Sequence, residues 1–121
     1  MFSPEIIQSV WEKAKTVDGY DKNTIRKDAC GAWIFRNLYG VRDSDYGWEI
    51  DHIYPEALGG NDNFVNLRAM QWENNMSKGD DFPSYFAKVQ ADGNKNIHLD
   101  VQYTVNSELQ QKLHSMYFSE N

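Results

Sequence analysis

The pattern of apolar and polar positions divides the chain into stretches with helical spacing and stretches that alternate residue by residue. Ile6, Ile7, Val10, Trp11 and Ala14 fall on one face of a helix. Ser3 can cap that helix, Pro4 suits its first position and Glu5 complements the positive end of its dipole. It is expected to end before Asp18-Gly19. Tyr20 to Asp28 are polar, with a turn-like Asp21 to Thr24, and are expected to be irregular. Trp33, Ile34, Phe35 and Leu38 are apolar enough for burial, but their period fits helix and strand equally. Tyr39-Gly40 and Asp43 to Gly47 are turn signals.

A second set of elements follows. Trp48, Ile50 and Ile53, set around Glu49 and Asp51, read as a strand that carries His52 at its exposed end. Pro55 and Gly59-Gly60 break the chain into a loop. Leu67 to Met70 reads as a second strand able to pair back on the first, and the polar stretch from Gln71 as a helix ending near Gly79. Asp81 to Gln90 is expected to hold one short helix, and Ala91 to Asn96 a turn-rich connection. From Ile97 to Val105 the alternation is strict, which predicts a half-buried strand. Asn106 or Ser107 can cap a closing helix whose Leu109, Leu113, Met116 and Tyr117 share a face. The prediction is one α+β domain over residues 1–121, with the two ends holding the central unit in place.

Length and composition fit that picture. A chain of 121 residues is near the commonest domain size, and 14% aromatic residues supply much of a core. No apolar run approaches the length of a bilayer span, and the N-terminal stretch contains acid where a signal sequence would not, so a soluble, cytoplasmic protein without a membrane partner is expected. Cys30 stands alone, which argues against a disulfide framework or a Cys-rich zinc site and for a small buried core residue.

Charge narrows the choice of partners. The net charge of −6 has the wrong sign for binding nucleic acid by bulk electrostatics. The excess is local: residues 1–42 carry seven basic and five acidic side chains, 43–81 carry two and nine, and 82–121 carry three and four. A bound divalent cation would offset part of the central acidity. Lys22, Arg26, Lys27, Arg36 and Arg42 offer the only basic surface, so tight binding to long DNA by this chain alone is not expected.

The candidate chemistry lies in the acidic centre. Imidazole exchanges a proton near neutral pH, which makes His52 the candidate base for activating water. Asp51 and Asn75 offer two hard oxygen donors, the kind that hold Mg²⁺ while leaving other positions to water and phosphate. Neighbours on a regular strand point to opposite sides, so the strand is expected to lose its regularity near Tyr54-Pro55 for Asp51 and His52 to share a site. Lys78, one turn after Asn75, is either a phosphate contact or a solvated lysine at a helix end. His98 and His114 are expected to face solvent.

The run Asp51-His52-Ile53-x-Pro55, followed by Gly59-Gly60, Asn66-Leu67 and Asn75-x-x-Lys78-Gly79, resembles the HNH endonucleases. Trp72 with Asn74-Asn75, and more weakly Arg26 to Ile34, resemble one subgroup of that family. The likeness covers residues 46–80, about thirty-five in all, and implies a ββα-metal, or His-Me, finger flanked by the N-terminal helix and the C-terminal strand and helix. It implies metal-dependent hydrolysis of DNA with His52 as base, a divalent cation on Asp51 and Asn75 (Mg²⁺, with Mn²⁺ as the alternative), and a loop-steadying role for Asn66. Many relatives carry Cys pairs that hold a structural zinc. Gln71 and Asn74 occupy the positions before Asn75 here, so no structural zinc is expected, and Trp48 and Trp72 are candidates to stabilise the unit by packing. Met76 replaces an Arg common in relatives, removing a phosphate contact. With no recognition domain visible, specificity would come from a partner protein or a homo-oligomer. The alternative is a non-catalytic nucleic-acid-binding or protein-interaction module that keeps the HNH fold.

Overall fold

In the computed structural model, which describes residues 1–118, the first helix, α1, spans Pro4–Trp11, and Ser3 accepts a hydrogen bond from the Ile6 amide at 3.2 Å. It stops sooner than its apolar spacing suggests, leaving Ala14 beyond the helix. The reason is Arg26. Its guanidinium donates to the carbonyl oxygens of Glu12 and Ala14 at 3.0 Å each, acceptors that another helical turn would have used, and also to that of Lys22 at 2.8 Å.

Arg26 also corrects the expectation of irregular structure before Asp28. Strand β1, Ile25–Lys27, pairs antiparallel with β2, Trp33–Phe35. The inward position of β1 is the arginine, so a buried cation stands where the pattern calls for an apolar residue. The ambiguous Trp33 to Leu38 segment resolves into β2 followed by one 3₁₀ turn at Arg36–Leu38.

The central unit forms as its residue pattern predicts. Strand β3, Trp48–His52, pairs antiparallel with β4, Leu67–Gln71, in the register Trp48 to Gln71, Ile50 to Ala69 and His52 to Leu67. Helix α2, Trp72–Lys78, starts directly after β4. Gln71 accepts from the Asn74 amide at the helix start, and the Gly79 amide returns to Asn75 O at the end. Trp48, Ile50, Leu67 and Ala69 pack with Val10, Trp11 and Ile34, so α1 covers one face of the β3–β4 pair. Glu49 and Asp51 point to the other face, toward α2.

The segment after α2 departs from expectation. Asp81 to Gln90 holds no helix; Ser84–Asp92 is strand β5, paired antiparallel with β6, Lys95–Thr104. Tyr85, Ala87 and Val89 are buried while Ser84, Phe86 and Lys88 are exposed, a period of two that exposed Phe86 disguises. The alternation expected from Ile97 onward holds, though Leu99 is exposed beyond a register shift between Ala87 and Val89. Helix α3, Ser107–Tyr117, is capped by Asn106 and buries Leu113 completely. A second core gathers Cys30, Ile53, Tyr54, Met70, Tyr85, Ala87, Val105 and Leu113.

One buried carboxylate links the outer elements to the centre. Asp28 Oδ1 accepts from the amides of Cys30 and Ala32, and Oδ2 from the Gln71 amide and Asn74 Nδ2, all between 2.9 and 3.2 Å. Burial pushes this carboxyl above its ordinary range, and the four N–H donors pull the other way. Asn74 Oδ1 in turn accepts from the amides of Lys88 and Val89, both at 2.8 Å, fastening α2 to β5.

Candidate functional site

The end of β3, the loop after it and the exposed side of α2 enclose a cavity of about 220 Å³. Asp51, His52 and Asn75 all line it, together with Glu56 and Asp80. The ladder stays regular through His52, and the Ile53 amide still donates to Asn66 O at 2.9 Å. The chain then turns at Pro55 into a 3₁₀ turn, Glu56–Leu58, and the cavity lies across the strand's end.

Asn66 makes that end possible. Its Oδ1 accepts from the Tyr54 amide at 2.7 Å, and its Nδ2 donates to the carbonyls of Tyr54 and Asn61, each at 3.0 Å. An amide is suited to this because it donates and accepts at once, standing in for a neighbouring strand just beyond the ladder. The loop folds back tightly enough that a Cβ on Gly60 would sit 1.8 Å from Tyr54 O, so only glycine fits there. Asn66 is fully buried and therefore braces the loop without reaching the cavity.

His52 is held from two sides. Its Nε2 lies 2.7 Å from Asp62 Oδ1, its Nδ1 lies 3.7 Å from Glu56 Oε1, and the Phe2 ring packs at 5.9 Å between centroids. A neutral ring that donates from Nε2 to Asp62 would leave its lone pair on Nδ1, on the side of Glu56. His52, Glu56 and Asp62 each bring one metal-ligating atom within 4.8 Å of the others.

Asp51 is more engaged than its sequence context suggests. Arg68, its partner across the ladder, approaches Oδ2 through Nε at 3.0 Å, and Lys78 Nζ lies 3.4 Å from Oδ1. Lys78 is completely buried and also donates to the carbonyl of His52 at 3.1 Å. This corrects both readings of that lysine: it is neither solvated nor placed to meet a phosphate, because its ammonium neutralises a carboxylate inside the protein. Burial draws the ammonium below its ordinary value, and Asp51 opposes that pull.

Asn75 Nδ2 donates to Glu49 Oε1 at 3.1 Å, which turns its amide toward β3. Arg42 grips the same carboxylate through Nε at 2.6 Å and Nη2 at 2.9 Å. Burial works against the Glu49 charge, yet Arg42 and Asn75 together hold its carboxyl below the usual range.

The proposed basic surface is largely spent on the fold. Arg26 is buried on backbone carbonyls, Arg36 donates to Gln8 Oε1 and lies over Trp48, and Arg42 is paired with Glu49. Lys27 stands over the Trp33 ring. His98 and His114 are exposed as expected, and Cys30 is buried. No helix among the described residues is long and apolar enough to cross a membrane.

Sequence reasoning missed Asp62, Glu56 and Arg68. Arg68 had a usable signal, since it falls opposite Asp51 once the two strands are paired in register. Asp62 had none beyond its place in the loop after Gly60. A scan of family models and searches of curated proteins and solved structures return no match.

Proposed function

We propose that this chain is a metal-dependent endonuclease of the HNH kind, hydrolysing phosphodiester bonds of DNA, with β3, its loop, β4 and α2 acting as a ββα-metal finger. The observation that carries the reading is the convergence of Asp51, His52 and Asn75 on one small cavity, the first two from the end of β3 and the third from α2. A cation suits that cavity. Asp51, Glu56 and Asp80 line it and no lysine or arginine does, while Asp51 and Asn75 present oxygen donors of the kind Mg²⁺ prefers. The ion, when bound, would supply positive charge for the leaving oxygen and the phosphate in the transition state.

The chain's own residues account for the rest. Asp62 fixes the ring of His52 through Nε2, and Nδ1 of the neutral ring is the atom that serves as base. Nδ1 takes a proton from water as the oxygen attacks phosphorus, the P–O3′ bond breaks, and the departing oxygen is protonated by solvent, leaving a 5′-phosphate and a 3′-hydroxyl. Asn66 holds the strand end in place. Arg68 and Lys78 hold the Asp51 carboxylate in place through one ion pair to each of its oxygens.

A second reading, a non-catalytic binding module on the same fold, draws on that same pair of cations, because they already neutralise Asp51. Conversion of supercoiled plasmid to nicked or linear forms separates the two. Wild type should cleave with Mg²⁺ or Mn²⁺, stop on chelation, and lose roughly a hundred- to ten-thousand-fold in rate in His52→Ala. Equal background cleavage by both proteins on DNA and RNA with every cation tried would overturn the catalytic reading.

A further inference from the structure

We infer that Asp45, Glu73 and His98 form a zinc-type metal site that clamps α2 to the turn before β3 and to β6. The inference stands apart from the nuclease reading. One ligating atom from each of these residues lies within 4.8 Å of the other two, and His98 Nε2 is 3.1 Å from Glu73 Oε2. The three arrive from separate places: Asp45 from the turn before β3, Glu73 from the first turn of α2, His98 from β6.

The set is organised before any ion arrives. Asp45 is held through its backbone, whose carbonyl accepts from Gln71 Nε2 at 3.1 Å and from Asn96 Nδ2 at 2.9 Å. Gln71 caps α2, so the same side chain fixes the position of Asp45 relative to Glu73. Unlike Asp51, neither carboxylate is paired with a lysine or arginine among the described residues, so their negative charge remains available.

Geometry and chemistry select the ion. Zinc bonds nitrogen and carboxylate oxygen at about 2.0–2.2 Å, which puts tetrahedral ligands roughly 3.4 Å apart. The observed separations of up to 4.8 Å close to that distance by side-chain rotation, and side-chain exposures of 65% for His98 and 23% for Glu73 leave room for it and for a water as fourth ligand. One imidazole with two carboxylates favours Zn²⁺ over Mg²⁺. The lone Cys30, with Gln71 and Asn74 where relatives carry cysteines, argued against a structural zinc, but this donor set contains no sulfur and spans fifty-three residues from Asp45 to His98. Glu73 precedes Asn75 by two positions, so the ion would fix the start of the helix that presents Asn75.

The test titrates Zn²⁺ into the full chain by calorimetry and follows Co²⁺ as a visible probe. His52 offers a rival nitrogen donor, so His52→Gln is the reference protein beside wild type. It should bind Zn²⁺, gain thermal stability from it and show Co²⁺ ligand-field bands. Adding His98→Gln should weaken Zn²⁺ at least tenfold and abolish the bands, and adding Glu73→Gln should weaken it in the same direction. Circular dichroism should be unchanged, because His98 is exposed. Zn²⁺ affinity that is absent in the His52→Gln reference, or that survives His98→Gln, would overturn the site.

Discussion

Lys78 Nζ donates to the carbonyl oxygen of His52 at 3.1 Å, so the last residue of α2 is tied to the last residue of β3. The ammonium also neutralises Asp51 next door. Lys78→Met keeps an unbranched side chain, shorter by one atom, and removes both interactions. It should destabilise the protein by about 3–5 kcal/mol, the usual loss when one partner of a buried ion pair is deleted. Urea unfolding measures it, and a loss below 1 kcal/mol would show that Arg68 alone suffices for Asp51.

Asn66→Ala removes three hydrogen bonds to the loop and leaves the Tyr54 amide and carbonyl without their partner. Each buried group so exposed to an empty space costs about 1–3 kcal/mol. The melting temperature should fall sharply, and amide exchange at Tyr54 should accelerate more than in β6. Asn66→Asp should be no rescue, since it turns a donor into an acceptor facing two carbonyls.

Asp62→Ala tests the orientation of the base. Asp62 is exposed, with 69% of its side chain accessible, so the fold should not change. Turnover in the plasmid assay should fall about ten- to a hundredfold, the ordinary range for a partner that orients an imidazole. Asp62→Asn, which still offers an oxygen, should recover part of the loss. Unaltered turnover in Asp62→Ala would separate the observed contact from catalysis.

Glu49 predicts a pH effect on stability. Its folded carboxyl titrates below the ordinary value of 4.5, so its contribution is complete above that pH and is lost as pH falls through the lower folded value. Wild type and Glu49→Gln should therefore differ by a constant margin at neutral pH and converge in acid. Arg42 is exposed, so solvent and salt screen the pair and the margin should be small. Melting curves from pH 7 down to pH 3 decide it; a gap that widens in acid has the wrong sign.

What could be read directly from the residues was whatever repeats over one element. The period of two through Trp48 and Ile50, the polar run ending at Gly79, and the apolar face of α3 each report their own local backbone. Strand β1 was hidden because its inward residue is Arg26, whose burial depends on the carbonyls of Glu12, Ala14 and Lys22. Strand β5 was hidden because Phe86 faces solvent. At the site, Asp51, His52 and Asn75 stand in a recognisable spacing. The ion partners of Asp51 and the orienting contact of His52 depend on strand register and on a loop's path, which no spacing rule contains.

The four hydrogen bonds of Asp28 give the molecule a particular indivisibility. Two of them go to the turn between β1 and β2, and two go to the start of α2. A peptide cut to residues 46–80 would keep every candidate reactive group and discard the acceptor that anchors Gln71 and Asn74, together with the β5 amides that Asn74 receives. Transplanting the motif onto another scaffold would thus require a host with a buried acid of its own at that point, whereas any residue swap within the first third of the chain that shifts Asp28 is felt at the helix carrying Asn75, some forty-seven positions downstream.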